Sequence, residues 1–155
     1  MAFPQARVSA VMLLGVSLLF GTVGLSAQSE PEDLIKYRQN LMRAQAGHLG
    51  AMVQIINGGV ALRSQLPVHA RNLHTLTGFL LNVFPEDSDF GETRAKEEIW
   101  EDFDVFSEAA RRAQTAAGKL ATVAESGSQE ELQAKLGAVV DACKGCHKKY
   151  RTSEP

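Results

Sequence analysis

The chain has 155 residues, of which 45% are hydrophobic and 22% are charged, and its formal net charge is −2. This length and composition are typical of a globular protein with one domain and a single core. The charge excludes a strongly basic chain of the kind that binds nucleic acid, and composition indicates nothing further about function.

The first 27 residues have the pattern of a secretory signal peptide. A short segment with one positive charge, at Arg7, precedes an apolar run over residues 8–20, and small residues follow before the chain turns polar at Gln28. This order is typical of exported proteins. A membrane anchor is the alternative, but the run is shorter than the ~20 residues that span a bilayer and no basic cluster follows it. We predict that residues 1–27 are cleaved and that residues 28–155 form an exported domain without stable membrane insertion.

The first predicted helix follows the signal peptide directly. Ser29 and Glu32 have the spacing of a capping box, with Ser29 as N-cap and Pro31 in the first turn. A helical stripe of mostly apolar residues then extends to Ile56, and Gly58 follows its end.

The second predicted helix begins at about Ser64 or Pro67 and extends to Val83. Apolar residues recur along it at spacings of three and four, and Pro85 stops the run. Residues 85–93 are predicted to form a polar loop.

Two further helices complete the predicted fold. The third contains a long heptad-like stripe and ends at Ser126, and Ser128 with Glu131 forms a capping box that opens the fourth. No long stretch alternates with the period of a β-strand. The sequence therefore predicts an all-α fold, an antiparallel four-helix bundle. The stripe of the third helix consists of Ile99, Phe103, Phe106, Ala110, Ala113, Ala117 and Leu120.

The predicted fourth helix contains the pentapeptide Cys143-Lys144-Gly145-Cys146-His147, which is the Cys-x-x-Cys-His signature of c-type haem attachment. Helical residues three and four apart share a face, so both thiols can reach one edge of a porphyrin. His147 comes next and can supply the proximal iron ligand. We therefore predict one covalently bound haem c, held by Cys143 and Cys146, with His147 bound to iron.

Two other uses of the cysteine pair remain as alternatives. A thioredoxin-like dithiol site normally accompanies a βαβ pattern, which this chain lacks. A structural zinc site needs four ligands, so His48, His69 or His74 would have to supplement the two thiolates. The same three histidines are the candidate rival axial ligands of iron.

A haem motif near the C-terminus of an exported four-helix bundle resembles the class II c-type cytochromes, the cytochrome c′ family. The resemblance covers the chain from about Glu30 to Arg151. Only the haem pentapeptide is chemically specific, and the other segments raise the similarity from fold to family. Those segments are residues 33–42 (DLIKYRQNLM), 84–88 (FPEDS), 98–100 (EIW) and 146–151 (CHKKYR).

The resemblance implies roles for three side chains outside the motif. Members of the family present either a blocking apolar side chain or a methionine ligand from the first helix to the iron face opposite the proximal histidine. Met42 matches that position, and we predict it as the distal iron ligand, with core filling as the alternative. Arg38 is implied to lie by the haem propionates, the alternative being a surface salt bridge with Glu32 or another acidic residue. Arg151 matches a basic residue near the proximal imidazole, the alternative being a solvated terminal cation.

These observations favour a periplasmic monohaem cytochrome that carries electrons between redox partner proteins. No catalytic acid–base pair or nucleophile arrangement is recognisable, so we expect a protein that is not an enzyme. The resemblance also implies an alternative, a five-coordinate haem protein that binds nitric oxide or carbon monoxide. An alternative of another class is a non-haem helical protein that uses the cysteines as thiols or metal ligands. Many relatives pair through their first helices, so a homodimer also remains an alternative to the monomer.

Overall fold

The computed structural model describes residues 30–153, which fold into five α-helices without a strand. The predicted signal peptide and Ser29 lie outside the described residues. The helices are α1 (Pro31–Ile56), α2 (Leu66–Gly78), α3 (Glu98–Glu101), α4 (Phe103–Ser126) and α5 (Gln129–Tyr150). None of the helices in this range is long and apolar enough to cross a membrane.

The four long helices form the predicted antiparallel bundle. α1 packs on α2, α2 on α4, and α4 on α5. Side-chain contacts show the antiparallel directions: Arg71 in the middle of α2 pairs with Glu125 near the end of α4, whereas His74, later in α2, contacts Gln114, earlier in α4. Gln129 at the start of α5 donates to the carbonyl of Ile56 at the end of α1. The connection between α4 and α5 has only two residues, which favours antiparallel neighbours.

Two clusters of buried side chains fill opposite ends of the bundle. One of them, named the opposite-end cluster because it lies at the end away from the cavity described below, joins the end of α1, the start of α2, the end of α4 and the start of α5. It includes Met52, Leu73, Leu120 and Leu136. The other, the cavity-side cluster, joins the first half of α1, the segment after α2, α3, the start of α4 and the end of α5. It includes Leu41, Val83, Phe84, Ile99, Phe106 and Tyr150.

The predicted helix starts are confirmed at α5 and wrong in detail at α1. Ser128 caps α5, and its capping box with Glu131 is fully formed. α1 begins at Pro31, and its N-cap is Glu30, which makes no side-chain capping bond. The predicted N-cap is therefore one residue too early.

The predicted second helix ends too late. Its α-helical part stops at Gly78, and residues 80–83 continue as a 3₁₀ turn. The hydroxyl of Thr77 bonds back to the carbonyls of Leu73 and His74, and the following glycine is a poor helix former. The apolar period continues through the 3₁₀ turn, since Leu80 and Val83 are both buried.

The predicted third helix is two helices. Asp102 interrupts it with φ −142° and ψ 73°, and its carboxylate accepts a hydrogen bond from the backbone N–H of Val105 at 3.2 Å. Asp102 is thus the N-cap of α4. The stripe spans the break because Ile99 and Phe106 both pack into the cavity-side cluster, whereas Phe103 is 37% exposed.

Candidate functional site

A cavity of about 560 Å³ opens between the start of α1, the segment before α3 and the end of α5. Its volume falls within the range of natural ligand and cofactor sites, ~300–1,000 Å³. The lining combines apolar side chains of the cavity-side cluster with polar and cationic groups. The cavity is lined by Arg38, Gln39, Met42, Arg43, Phe84, Glu92, Thr93, Arg94, Ala95, Ile99, Phe106, Cys146, His147, Tyr150 and Arg151.

The last two turns of α5 carry the haem pentapeptide. Cys146 and His147 line the cavity, and Cys146 also packs against the cavity-side cluster. Cys143 lies one turn earlier and packs against the opposite-end cluster. Both cysteines are free and half-buried. Burial raises the pKa of the Cys143 thiol, and burial followed by the neighbouring Cys143 raises the pKa of Cys146, so both remain neutral thiols at physiological pH.

His147 has the protonation state that a metal ligand requires. Burial lowers the pKa of its imidazole below the usual 6.5, and the positive charges of Arg151 and Arg94 lower it further. The ring is therefore neutral at physiological pH, with a lone pair available for a metal ion. Arg151, which the resemblance implies near this imidazole, lines the same cavity.

Met42 and Arg38 reach the same cavity from α1. They lie one helical turn apart and share a face of the helix, and Met42 is half-buried against the cavity-side cluster. The thioether of Met42 and the imidazole of His147 thus lie in one cavity, on two different helices.

Arg38 is an internal cation, with only 3% of its surface exposed. Nη1 donates to Val83 O at 3.2 Å and Ser88 Oγ at 2.9 Å. Nη2 donates to Ser88 O at 2.9 Å and Thr93 Oγ1 at 2.8 Å. The guanidinium also lies 4.5 Å from the centre of the Phe84 ring. The alternative of a surface salt bridge with Glu32 is therefore wrong.

The buried positive charge of Arg38 favours the binding of an anionic group in the cavity. Burial lowers the pKa of Arg38 to about 10, which leaves it charged at physiological pH. Its described partners are carbonyl and hydroxyl oxygens, which satisfy the N–H groups without neutralising the charge. A buried charge is stabilised strongly by an opposite charge nearby.

The segment over residues 92–95 supplies cavity residues that sequence reasoning missed. It carries no helical period, and its position depends on the chain end. Ala95 and Arg151 form an isolated antiparallel bridge, Lys96 N donates to Tyr150 O at 3.0 Å, and Thr152 N donates to Arg94 O at 2.9 Å. No local motif signals this contact, because its two halves lie more than fifty residues apart.

The three other histidines lie away from the cavity lining. Nδ1 of His48 is 3.0 Å from Nδ1 of His69, and Nδ1 of His74 is 3.1 Å from the carbonyl oxygen of Gln114. Among residues 30–153, no cluster of three or more His, Cys, Asp or Glu side chains could hold a metal ion. The histidines therefore do not supplement the cysteines in a four-ligand zinc site within that range.

The residues around the cavity fit a haem group. Phe84, Ile99, Phe106 and Tyr150 provide an apolar wall for the porphyrin face. The neutral imidazole of His147 and the thioether of Met42 are groups that could serve as axial ligands of haem iron. The positive charge of Arg38 would suit the propionate carboxylates.

Comparisons with known proteins agree with this fit. The sequence profile of the family described as Cytochrome C' matches residues 33–151. Cytochrome c′ of Rhodospirillum rubrum is 29% identical over 142 residues, which cover 91% of this chain and 97% of that protein. The structure of cytochrome c prime from Shewanella frigidimarina has a TM-score of 0.77 at 29% identity and covers 81% of this chain and 99% of that one.

A third relative is a mutant of cytochrome c prime from Alcaligenes xylosoxidans, solved as a nitric oxide complex. Its TM-score is 0.76 at 30% identity, with 82% of this chain and 99% of that chain covered. With the family profile spanning the whole bundle and the cavity fitting its cofactor, the chain belongs to the cytochrome c′ family of class II c-type cytochromes, whose members bind a single covalently attached haem c.

Proposed function

We propose that this protein is a periplasmic electron carrier in which Cys143 and Cys146 hold the haem covalently and His147 and Met42 bind the iron. The observation that carries the proposal is that Met42 of α1 and His147 of α5 line one cavity together with Cys146. Haem c supplies a one-electron couple when bound, and a methionine–histidine ligand pair raises its reduction potential.

The protein side chains act by holding this site rigid. α5 fixes both thiols and the imidazole on consecutive turns of one helix, and α1 fixes the thioether. Arg38 anchors α1 to the segment over residues 83–93 through four hydrogen bonds. A site whose ligands come from packed helices changes little in structure on electron transfer, as a carrier requires. Two protein ligands to the iron would also leave no position for a substrate, which favours a carrier over an enzyme.

Nitric oxide or carbon monoxide binding is the second candidate function. The specific observation in its favour is the nitric oxide complex of the Alcaligenes xylosoxidans relative. In that case Met42 covers one face of the site without binding iron, and an incoming gas displaces it or binds from the His147 side. The two candidates differ only in whether the Met42 sulfur is a ligand or a steric barrier.

The absorption spectrum of the holoprotein, ferric and ferrous, tests the proposal. Methionine ligation predicts a low-spin spectrum with a methionine-to-iron charge-transfer band in the far red. Met42→Ala should then become high-spin, lose reduction potential and bind carbon monoxide rapidly. Met42→Leu is the matched control for side-chain volume: it should become high-spin as well, but bind gas more slowly because it still covers the iron. A wild-type protein that is already high-spin contradicts the carrier proposal and favours gas binding.

A further inference from the structure

A basic patch lies against the proposed haem site on the side of His147. It consists of Arg94, Lys96, Lys144, Lys148 and Arg151, which with His147, Thr152 and Ser153 line one surface concavity of about 610 Å³. Among residues 30–153, no carboxylate side chain lines this concavity. Lys96 pairs with Glu98 at its edge, at 3.8 Å.

The patch stands out against the charge of the chain as a whole. The net charge of the protein is −2, so the five cationic side chains of the patch leave a clear excess of negative charge on the rest of the chain. Separated regions of opposite sign orient a molecule in the field of a charged partner. An acidic partner would therefore be attracted to this face.

The patch is continuous with the proposed haem site. His147, Arg94 and Arg151 line both the cavity and the patch. Lys144 lies inside the haem pentapeptide and Lys148 follows His147 directly, and both are exposed on α5. A partner bound on the patch would thus contact the proposed proximal ligand itself, which gives the shortest protein path to the iron.

We propose that the basic patch is the docking surface for an acidic redox partner protein, which exchanges electrons through the His147 side of the site. This inference rests on the proposed carrier function. A surface that attracts its partner by charge mainly accelerates encounter, and the acceleration falls steeply with ionic strength.

A charge-reversal experiment on the ferric holoprotein tests the docking surface. The probe is a reduced acidic plant-type ferredoxin, whose potential near ~−400 mV makes electron transfer to a c-type haem downhill. At low ionic strength, Lys144→Glu/Lys148→Glu should lower the second-order rate constant at least ~10-fold, and the difference should vanish at high salt.

The matched control is Lys119→Glu/Lys135→Glu, which makes the same change in net charge in a different groove of the surface. Lys135 lies twelve residues before His147 on α5, about 18 Å along the helix, beyond the ~8 Å Debye length at physiological salt. Measured at that same salt, this pair should change the rate less than ~2-fold and less than Lys144→Glu/Lys148→Glu does. Equal losses in the two pairs at physiological salt, or no loss in the first pair at low ionic strength, would overturn the docking surface.

A neutral hydroquinone reductant separates this result from the carrier function. All variants should react with it at the wild-type rate, because the charges of the patch neither attract nor repel a neutral reagent. If the wild type accepts electrons from hydroquinone but the patch substitutions leave the rate constant with ferredoxin unchanged, the carrier proposal stands and the docking surface fails. If the wild type accepts electrons from neither, the carrier proposal itself fails.

Discussion

Arg38 is the side chain that connects the first helix to the rest of the site. Its four hydrogen bonds end on three residues of the segment over residues 83–93, and that segment forms one wall of the cavity. The planar guanidinium can serve four acceptors at once, whereas an ammonium group offers only three donors from a single atom. The arginine is therefore specific at this position, and its structural role is independent of a bound cofactor.

Arg38→Lys tests this role. The variant should lose about 1–3 kcal/mol of stability, because at least one of the four acceptors loses its donor and a buried unpaired group costs about 1–3 kcal/mol. Urea unfolding of the holoprotein measures the loss. Arg43→Lys is the control: Arg43 is exposed, donates to Asn40 Oδ1 of the same helix, and should change stability by no more than about 0.5 kcal/mol. Equal effects of the two substitutions would contradict the anchoring role.

At the scale of elements, sequence signals locate helices well where the signal is local. The capping box at Ser128 needs only four residues, and α5 begins where it indicates. The break at Asp102 escapes sequence reasoning because the apolar stripe continues through it. Asp102 itself is the available signal, since aspartate is a preferred N-cap, but a heptad pattern outweighs a single polar residue. Thr77 and Gly78 similarly end α2, but the apolar period continues past them without interruption and so hides the end of the helix in the sequence.

The contact between α1 and α2 includes a histidine pair that makes stability depend on pH. His48 and His69 share a hydrogen bond between their Nδ1 atoms. Burial lowers the pKa of His48 below its usual 6.5, and His69 lowers it further. The unfolded chain therefore binds a proton more readily than the folded one. The contribution of His48 is complete above pH 6.5 and is lost as the pH falls through 6.5 towards the lowered folded value.

His48→Gln should therefore flatten the fall in stability between pH 7.5 and about pH 5. Urea unfolding of the ferric holoprotein across this range measures the slope. The control is His74→Gln, because the ring of His74 contacts the Gln114 carbonyl rather than a second histidine. The control should lower stability through the loss of that contact. A wild-type slope in the His48 variant would show that His48 does not titrate on unfolding.

At the scale of the molecule, the candidate site combines what sequence can and cannot predict. Met42, Arg38, Cys146, His147 and Arg151 are all identified from motif and resemblance, and all line one cavity. The segment over residues 92–95 is not identified from the sequence, because its position depends on backbone pairing with the chain end. Helical periods and covalent motifs are local, whereas loop walls arise only after the helices have packed.

The position of the cavity predicts how the protein behaves without its cofactor. An empty cavity of about 560 Å³ would cost on the order of 10 kcal/mol at ~24 cal/mol per Å³. That cost is comparable to the whole stability of a domain, about 5–15 kcal/mol. The apoprotein therefore cannot keep the cavity both dry and open. The loss should be local, because the cavity is walled by the cavity-side cluster and not by the opposite-end cluster.

Amide hydrogen exchange on the apoprotein, made as Cys143→Ser/Cys146→Ser, measures where protection is lost. Amides of Leu41, Phe106 and Tyr150 should lose at least ~100-fold in protection relative to the holoprotein, because their end of the bundle opens locally. Those of Met52, Leu120 and Leu136 should stay within ~10-fold, since their packing does not include the cavity. The holoprotein variant Met42→Ala is the control, because it removes one lining side chain but keeps the cofactor. It should retain protection at both ends. Equal loss in the two clusters of the apoprotein would mean that the bundle unfolds as one unit, and unchanged protection would mean that the cofactor lies outside this cavity.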